Sequence, residues 1–240
     1  MMSTLNVEGV SKRYAQTEVI KSVSFSMNAG TVCTLLGKNG SGKTTLLKMI
    51  AGLSNRDSGD IHFFGHTLEE VFPAMLNQMG FSIEQPKYYE HLSGQENLML
   101  HLDYMGVKKT KREMEQVLKQ VGLFDKKDVR LKEYSLGMKQ RLAISRALVH
   151  RPRLVLLDEP FNGLDPKGMD DIGRLIRDLS REGTSFLVSS HLLHQTLDIT
   201  DQVLLLNNGS LVVNEEMEQL KDMYGNQLTE KLIYLMEVDK

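Results

Sequence analysis

Four residues at fixed spacing carry the first chemistry in this chain. In TVCTLLGKNGSGKTTLLKMIAGL, residues 31–53, Gly37, Gly42, Lys43 and Thr44 fill the pattern G-x-x-x-x-G-K-[ST]. Glycines let a backbone curl around a phosphate, the exposed N–H groups and the helix N-terminus supply partial positive charge, and Lys43 adds a full one. Thr44 would place its hydroxyl on Mg²⁺. A second pair follows far along the chain: RLVLLDEP, residues 153–160, delivers Asp158 and Glu159 to the end of an apolar run. A carboxylate pair at the C-terminal end of a parallel strand suits phosphate chemistry, Asp158 toward Mg²⁺ and Glu159 toward the proton of an attacking water.

The elements that must position these groups can be read from periodicity. Val32, Leu35 and Leu36 form an apolar strand leading into the loop, and Leu46, Leu47, Ile50 and Leu53 recur at helical spacing after it. A filled motif between a strand and a helix is seldom accidental. Apolar residues alternate over 5–10 and 23–27, with KRY at 12–14 between them, and Tyr14 reads equally well as a core aromatic or an adenine platform. DSGDIHFFG, 57–65, is a short strand with turn residues at both ends, expected in an antiparallel ribbon; residues 80–83 form another strand, which Pro86 stops.

From 86 to about 140 the pattern is helical. Ser93 with Glu96 and Thr110 with Glu113 fit capping boxes, and Met114, Val117, Leu118 and Val121 make a stripe ended by Gly122. Met99, Met105 and Met114 are expected mainly in a core. Strands return at 154–157, 185–189 and 203–206, separated by a segment carrying Met169, Ile172, Leu175, Ile176 and Leu179 at helical spacing. That alternation predicts a largely parallel sheet covered on both faces. NNGS, 207–210, reads as a hairpin turn, and the tail after Asn214 as short, charged and partly amphipathic.

Composition narrows the function. The 240 residues suffice for a sizeable core, and 29 Lys plus Arg against 31 Asp plus Glu give a net charge of −2. No basic stripe with interleaved aromatics is present, so nucleic acid is not the expected partner. The aliphatic runs fall far below the roughly 18 residues of a membrane span. With no secretory signal and a lone Cys33 in a buried strand, the expected setting is a reducing cytosol.

The phosphate loop alone is shared by kinases, GTPases, helicases and transporter motors. YSLGMKQRLAISRAL, residues 134–148, decides among them: Ser135 is placed as an N-cap, Gly137 follows, and Leu142, Ile144 and Leu148 line a helix. Over nearly its whole length the chain resembles the ATP-binding subunit of ABC transporters. In that family this segment is the LSGGQ signature; here it reads YSLGM, keeping the serine and second glycine while Leu136 and Met138 depart. Gln85 resembles the Q-loop glutamine, Asn162 to Asp165 the D-loop, His191 the switch histidine, and Tyr14 the aromatic that stacks on adenine.

The resemblance implies an α/β P-loop NTPase fold: a mainly parallel core sheet, an antiparallel β subdomain and an inserted α-helical subdomain. The core would comprise 1–85 and 141–240, and the helical part with the signature 86–140. It assigns catalytic roles to Glu159, His191 and Gln85, and metal contact to Thr44, Gln85 and Asp158. Nucleotide contact falls to Tyr14, Gly37, Asn39, Gly40, Ser41, Gly42, Lys43, Thr44, Thr45, Ser135, Gly137 and Asp165. ATP and Mg²⁺ are the implied cofactors. Two subunits, identical or not, would sandwich two ATP molecules and drive a separate membrane permease from the cytoplasmic face of the membrane. SLGMKQR with NGLDP is closer to exporters of antibiotic, bacteriocin or lipid type than to nutrient importers. A soluble ABC-type ATPase acting on ribosomes or DNA is the competing reading, though paired nucleotide modules, long coiled coils and basic surfaces are lacking. A small-molecule kinase would need an acceptor pocket and lid in place of the signature.

Overall fold

The computed structural model describes residues 3–84 and 87–238. Six strands build the central sheet: β3 (Val32–Leu36), β6 (Met79–Ser82), β7 (Leu154–Asp158), β8 (Ser185–Ser190), β9 (Gln202–Asn207) and β10 (Ser210–Glu216). Their order is β10-β9-β3-β8-β7-β6, and all neighbours are parallel except β9 and β10. A second, antiparallel sheet runs β2-β1-β4-β5, from β1 (Ser3–Tyr14), β2 (Thr17–Asn28), β4 (Ser58–Phe63) and β5 (His66–Thr67).

Strand alternation explains why the parallel sheet needs cover on both faces. In β7, Leu154 and Leu156 point to one side, where the antiparallel sheet and α1 (Lys43–Ile50) pack on them; Val155 and Leu157 point to the other. On that second face lie α3 (Gly94–Tyr104), α4 (Lys111–Gln120), α5 (Leu136–Leu148) and α6 (Pro166–Arg181), while the short α2 (Leu68–Val71) adds Leu68 to the first core. Each aliphatic residue buried this way contributes about 1.5–3 kcal/mol. At Gly80 in β6 a Cβ would stand 1.9 Å from the Ala147 carbonyl oxygen, so only glycine lets α5 lie this close to the sheet.

The helical stretch is held locally by its caps. The Ser93 hydroxyl accepts from the Glu96 N–H (3.2 Å) while the Ser93 N–H donates to the Glu96 carboxylate (2.7 Å), and Thr110 with Glu113 repeats the arrangement. The Met114 stripe is buried as expected, whereas Met99 is 45 % exposed. Helix α5 runs unbroken through residue 140, so the signature segment and the core share one helix. At the NNGS hairpin Asn208 and Gly209 both take positive φ, as a type I′ turn requires.

The tail differs from its sequence reading. It forms α7 (Met217–Tyr224) and α8 (Leu228–Glu237), and Met217, Leu220, Leu228, Leu232 and Met236 close a third core over Leu36, Val203 and Leu205. The buried positions recur only once per turn among charged neighbours, which thins the amphipathic signal. No helix among the described residues is long and apolar enough to cross a membrane.

Candidate active site at the sheet's C-terminal edge

The parallel strands β3, β7 and β8 end at one edge, and their register sets the site's frame: Leu36 pairs with Ser190, and Asp158 with Ser189. Beyond β3 the chain makes the loop predicted from 37–44. Gly42 caps α1 at φ 108° with no side-chain cap, leaving the helix's first N–H groups turned into the loop. A Cβ at Gly37 would come 2.5 Å from both the Leu206 carbonyl oxygen and the Ser41 Oγ; at Gly40 it would meet nothing within 4 Å. The loop is therefore clamped at its root and open at its tip. Asn39 and Gly40 are exposed, Thr44 and Thr45 half-buried, and Ser41 buried with its Oγ unpartnered.

Lys43 is 94 % buried by side-chain area and folds back over the loop, donating to the carbonyls of Gly37 (2.7 Å) and Lys38 (3.1 Å). Its Nζ lies 3.5 Å from Glu159 Oε1, and His191 Nδ1 lies 2.9 Å from Glu159 Oε2. A carboxylate only accepts, so His191 Nδ1 carries a proton. Glu159 sits at φ 49°, a left-handed conformation that a non-glycine residue adopts at a cost of order 1–3 kcal/mol. Its N–H is tied to Ser189 Oγ (3.0 Å), and Gln140 Nε2 donates to the next carbonyl, that of Pro160 (3.1 Å). This bend turns Glu159 away from the strand direction of Asp158.

Asp158 faces the other way. Thr44 Oγ1 donates to its Oδ2 (2.8 Å) and Ser189 Oγ to its Oδ1 (2.6 Å). The hydroxyl of Thr44 and the carboxylate of Asp158 form a hard-oxygen pair of the kind Mg²⁺ uses when phosphate and water complete its octahedron. No group of three or more His, Cys, Asp or Glu among the described residues could cage a metal. The loop, its orphaned Ser41 hydroxyl and this pair together fit a Mg²⁺-bound triphosphate.

Three predicted residues stand apart from this network. Ser135 caps α5, accepting from the Met138 N–H (3.2 Å); Asp165 caps α6, accepting from the Gly168 N–H (3.1 Å). A Cβ at Gly137 would lie 2.9 Å from the Gly163 carbonyl oxygen, so the start of α5 and the turn at 162–165 pack against each other, with Leu136 60 % exposed. No hydrogen bond or ion pair among the described residues joins Ser135, Gly137 or Asp165 to the phosphate loop. Tyr14 is 49 % exposed at the end of β1, its hydroxyl 3.3 Å from Ser54 Oγ, which removes the core-aromatic alternative. The end of that strand is pinned by Asp57, whose carboxyl Lys12 and the Arg13 N–H hold below its usual range. Gln85 lies outside the described residues.

Sequence reasoning missed two residues. Ser189 bridges Asp158 to the backbone of Glu159, and Gln140 links α5 to the turn after β7. The available signal for Ser189 was a polar pair closing the otherwise apolar strand SFLVSS.

Residues 20–162 match the ABC transporter family. The chain is 37 % identical over 221 residues to the bacitracin transport ATP-binding protein BcrA of Enterococcus faecalis, covering 92 % of this chain and 71 % of that protein. With the lantibiotic transport ATP-binding protein SrtF of Streptococcus pyogenes the identity is 34 % over 229 residues, covering 93 % and 97 %. Among solved structures, an ATP-binding subunit of an ABC transporter superposes with a TM-score of 0.82 at 27 % identity, covering 96 % of this chain and 99 % of that one. A dimeric bacterial ABC transporter cassette gives 0.81 at 24 % identity, covering 89 % and 98 %, a likeness of fold. With that match across the phosphate loop and the paired carboxylates, and with these relatives, the chain belongs to the ABC transporter ATP-binding proteins and is a nucleotide-binding ATPase subunit of that family.

Proposed function

We propose that the chain is the motor of an exporter, working in pairs on Mg²⁺-ATP at the cytoplasmic face of a membrane and driving a separate permease. The observation that carries this reading is the network Thr44–Asp158–Ser189–Glu159–His191, closed by Lys43 at one strand edge. Mg²⁺, held by Thr44 and Asp158, would supply charge neutralisation on the phosphates. Lys43 and the N–H groups of the loop and α1 bind the phosphates, with Asn39, Gly40, Ser41 and Thr45 at their margin, and Tyr14 offers an exposed ring for adenine. Glu159 takes a proton from the attacking water, and His191 holds its carboxylate in place.

Ser135, Gly137 and Asp165 lie outside this network, so their natural use is to complete the site of a second copy or a homologous subunit. Closing two such subunits around two nucleotides, and reopening after hydrolysis, gives a two-state engine. Export, and a peptide-antibiotic class of cargo, follow from the similarity to bacitracin and lantibiotic transport proteins. The helical part 86–140 and the residues near Gln85 are the side offered to the permease.

The test is co-purification. Tagged Glu159→Gln protein, recovered with Mg-ATP from detergent-solubilised native membranes, is expected to bring down one integral membrane protein in stoichiometric amount. Recovery only from the soluble fraction, with ribosomes or DNA-bound proteins, would refute the transporter reading.

A further inference from the structure

Glu159 is held by its backbone as well as by its carboxylate. At φ 49° it occupies a conformation that persists only when neighbouring groups fix it. On the strand side its N–H donates to Ser189 Oγ of β8 at 3.0 Å. On the other side the turn that follows is closed by the Asn162 N–H, which donates to the Glu159 carbonyl at 3.2 Å. Gln140 of α5 reaches into that turn, its half-buried Nε2 donating to the Pro160 carbonyl at 3.1 Å with the Glu159 carbonyl at 3.4 Å. One side-chain amide therefore spans two successive carbonyls where the chain leaves β7.

The helix that carries this amide also carries Ser135 and Gly137, which no hydrogen bond or ion pair among the described residues joins to their own phosphate loop. Gln140 follows the Ser135 cap on the same unbroken helix, about 7.5 Å along its axis. Two further contacts stiffen the link. A Cβ at Gly163 would meet the Leu136 side chain at 2.8 Å, and one at Gly137 would meet the Gly163 carbonyl oxygen at 2.9 Å. The first turn of α5 thus rests on the same stretch, 159–165, that Gln140 bonds. A displacement of the N-terminus of α5 is delivered directly to the turn that sets the direction of Glu159.

We infer that Gln140 is a positioning residue through which the nucleotide held by a second subunit governs the general base of this one. Nucleotide seated against Ser135 fixes the N-terminus of α5, and the Gln140 amide passes that position to the Glu159 and Pro160 carbonyls. The inference rests on the proposed pairing of two subunits and adds the residue that links their sites. An amide that merely braced the turn would act the same whether or not the second site is filled. A coupling amide makes turnover in one site depend on occupancy of the other.

The experiment uses the full chain with Mg-ATP as the probe. Gln140→Glu keeps the shape of the side chain but turns an acceptor toward the two carbonyls, and Gln140→Lys restores a donor on a flexible stem. Phosphate release measured against ATP concentration gives kcat and a Hill coefficient for each protein. Wild type should be cooperative, with a Hill coefficient above about 1.5 and at most about 2, the number of sites in the pair. Gln140→Glu should bring the coefficient to about 1 and lower kcat about tenfold, the scale of one misplaced hydrogen bond. Gln140→Lys should regain most of both. ATP affinity and ATP-driven pairing, read by titration and light scattering on each variant combined with Glu159→Gln, should stay within about twofold of Glu159→Gln alone, because the phosphate loop is untouched. Melting curves check that each variant is folded, and Gln140→Ala replaces Gln140→Glu if the latter is not. A non-cooperative wild type that still pairs on ATP overturns the coupling role and leaves the paired motor standing. So does an unchanged Hill coefficient on loss of the amide, or equal losses in the donor and acceptor variants. Failure of the Glu159→Gln chain to pair at all defeats the paired reading itself.

Discussion

The two ends of the layer around α5 treat polar groups in opposite ways. At the strand edge Asp158 has a hydroxyl on each oxygen, and Glu159 has an imidazole on one oxygen and an ammonium 3.5 Å from the other. At the Arg146 end the guanidinium lies over the Tyr88 ring, the buried Tyr88 hydroxyl has no hydrogen bond among the described residues, and burial lowers the pKa of two imidazoles. Hydrogen bonds and ion pairs tie the strand-edge groups to several elements at once, with Ser41 Oγ and Glu159 Oε1 still lacking a hydrogen bond among the described residues; ring contacts and burial hold the Arg146 end. Ser135 and Asp165 each cap only their own helix.

The largest effect should come from breaking the complete network at its reactive member. Glu159→Gln keeps the shape and removes the proton acceptor, so phosphate release should fall at least about 10²-fold while ATP binding by equilibrium titration stays near wild type. Near-normal turnover would deny Glu159 the general-base role. Next in size, Ser189→Ala leaves Asp158 Oδ1 and the strained Glu159 N–H each short of a partner. Turnover should drop about tenfold, the scale of one unmet buried polar group. An Arg146→Gln change at the other end should leave the soluble ATPase within about twofold. Equal losses from the two would erase the contrast between the ends.

What the sequence revealed follows the same division between local and distant causes. The phosphate loop was legible because backbone curl demands glycine at stated positions, and Gly37 and Gly42 are sterically excluded from carrying a Cβ. The capping boxes were legible because their bonds close over three residues. Parallel strands buried on both faces show themselves as aliphatic runs, as in Leu154 to Leu157. Ser189 was not legible as a partner of Asp158, since only the register of β7 with β8 brings them level. Nor were Tyr88 and Arg146, 58 residues apart and joined by the packing of α5 against the chain before α3. Helices α7 and α8 were missed because apolar residues stand on both faces of α8, with Ile233 and Tyr234 exposed beside buried Leu232 and Met236, which blurs the helical period.

Smaller effects separate stability from chemistry. Thr110→Ala removes the hydroxyl half of a capping box on α4, remote from both clusters. Chemical denaturation should report about 1 kcal/mol of lost stability with turnover per folded molecule unchanged. A change in turnover would show that the helical part governs the site through its own stability.

The smallest and most specific effect concerns pH. His101 has a folded pKa of about 4 against about 6.5 in an unfolded chain, because burial and the Arg146 cation oppose its protonation. Between these values the unfolded chain binds a proton that the folded chain refuses. Stability is therefore full above pH 6.5 and declines as pH falls from there toward 4; His150, lowered by burial, acts with the same sign. Replacing His101 with Gln removes one such proton, so the fall in melting temperature from pH 7 to 5.5 should shrink by about 2–4 °C, and an unchanged slope would mean the ring is not held neutral.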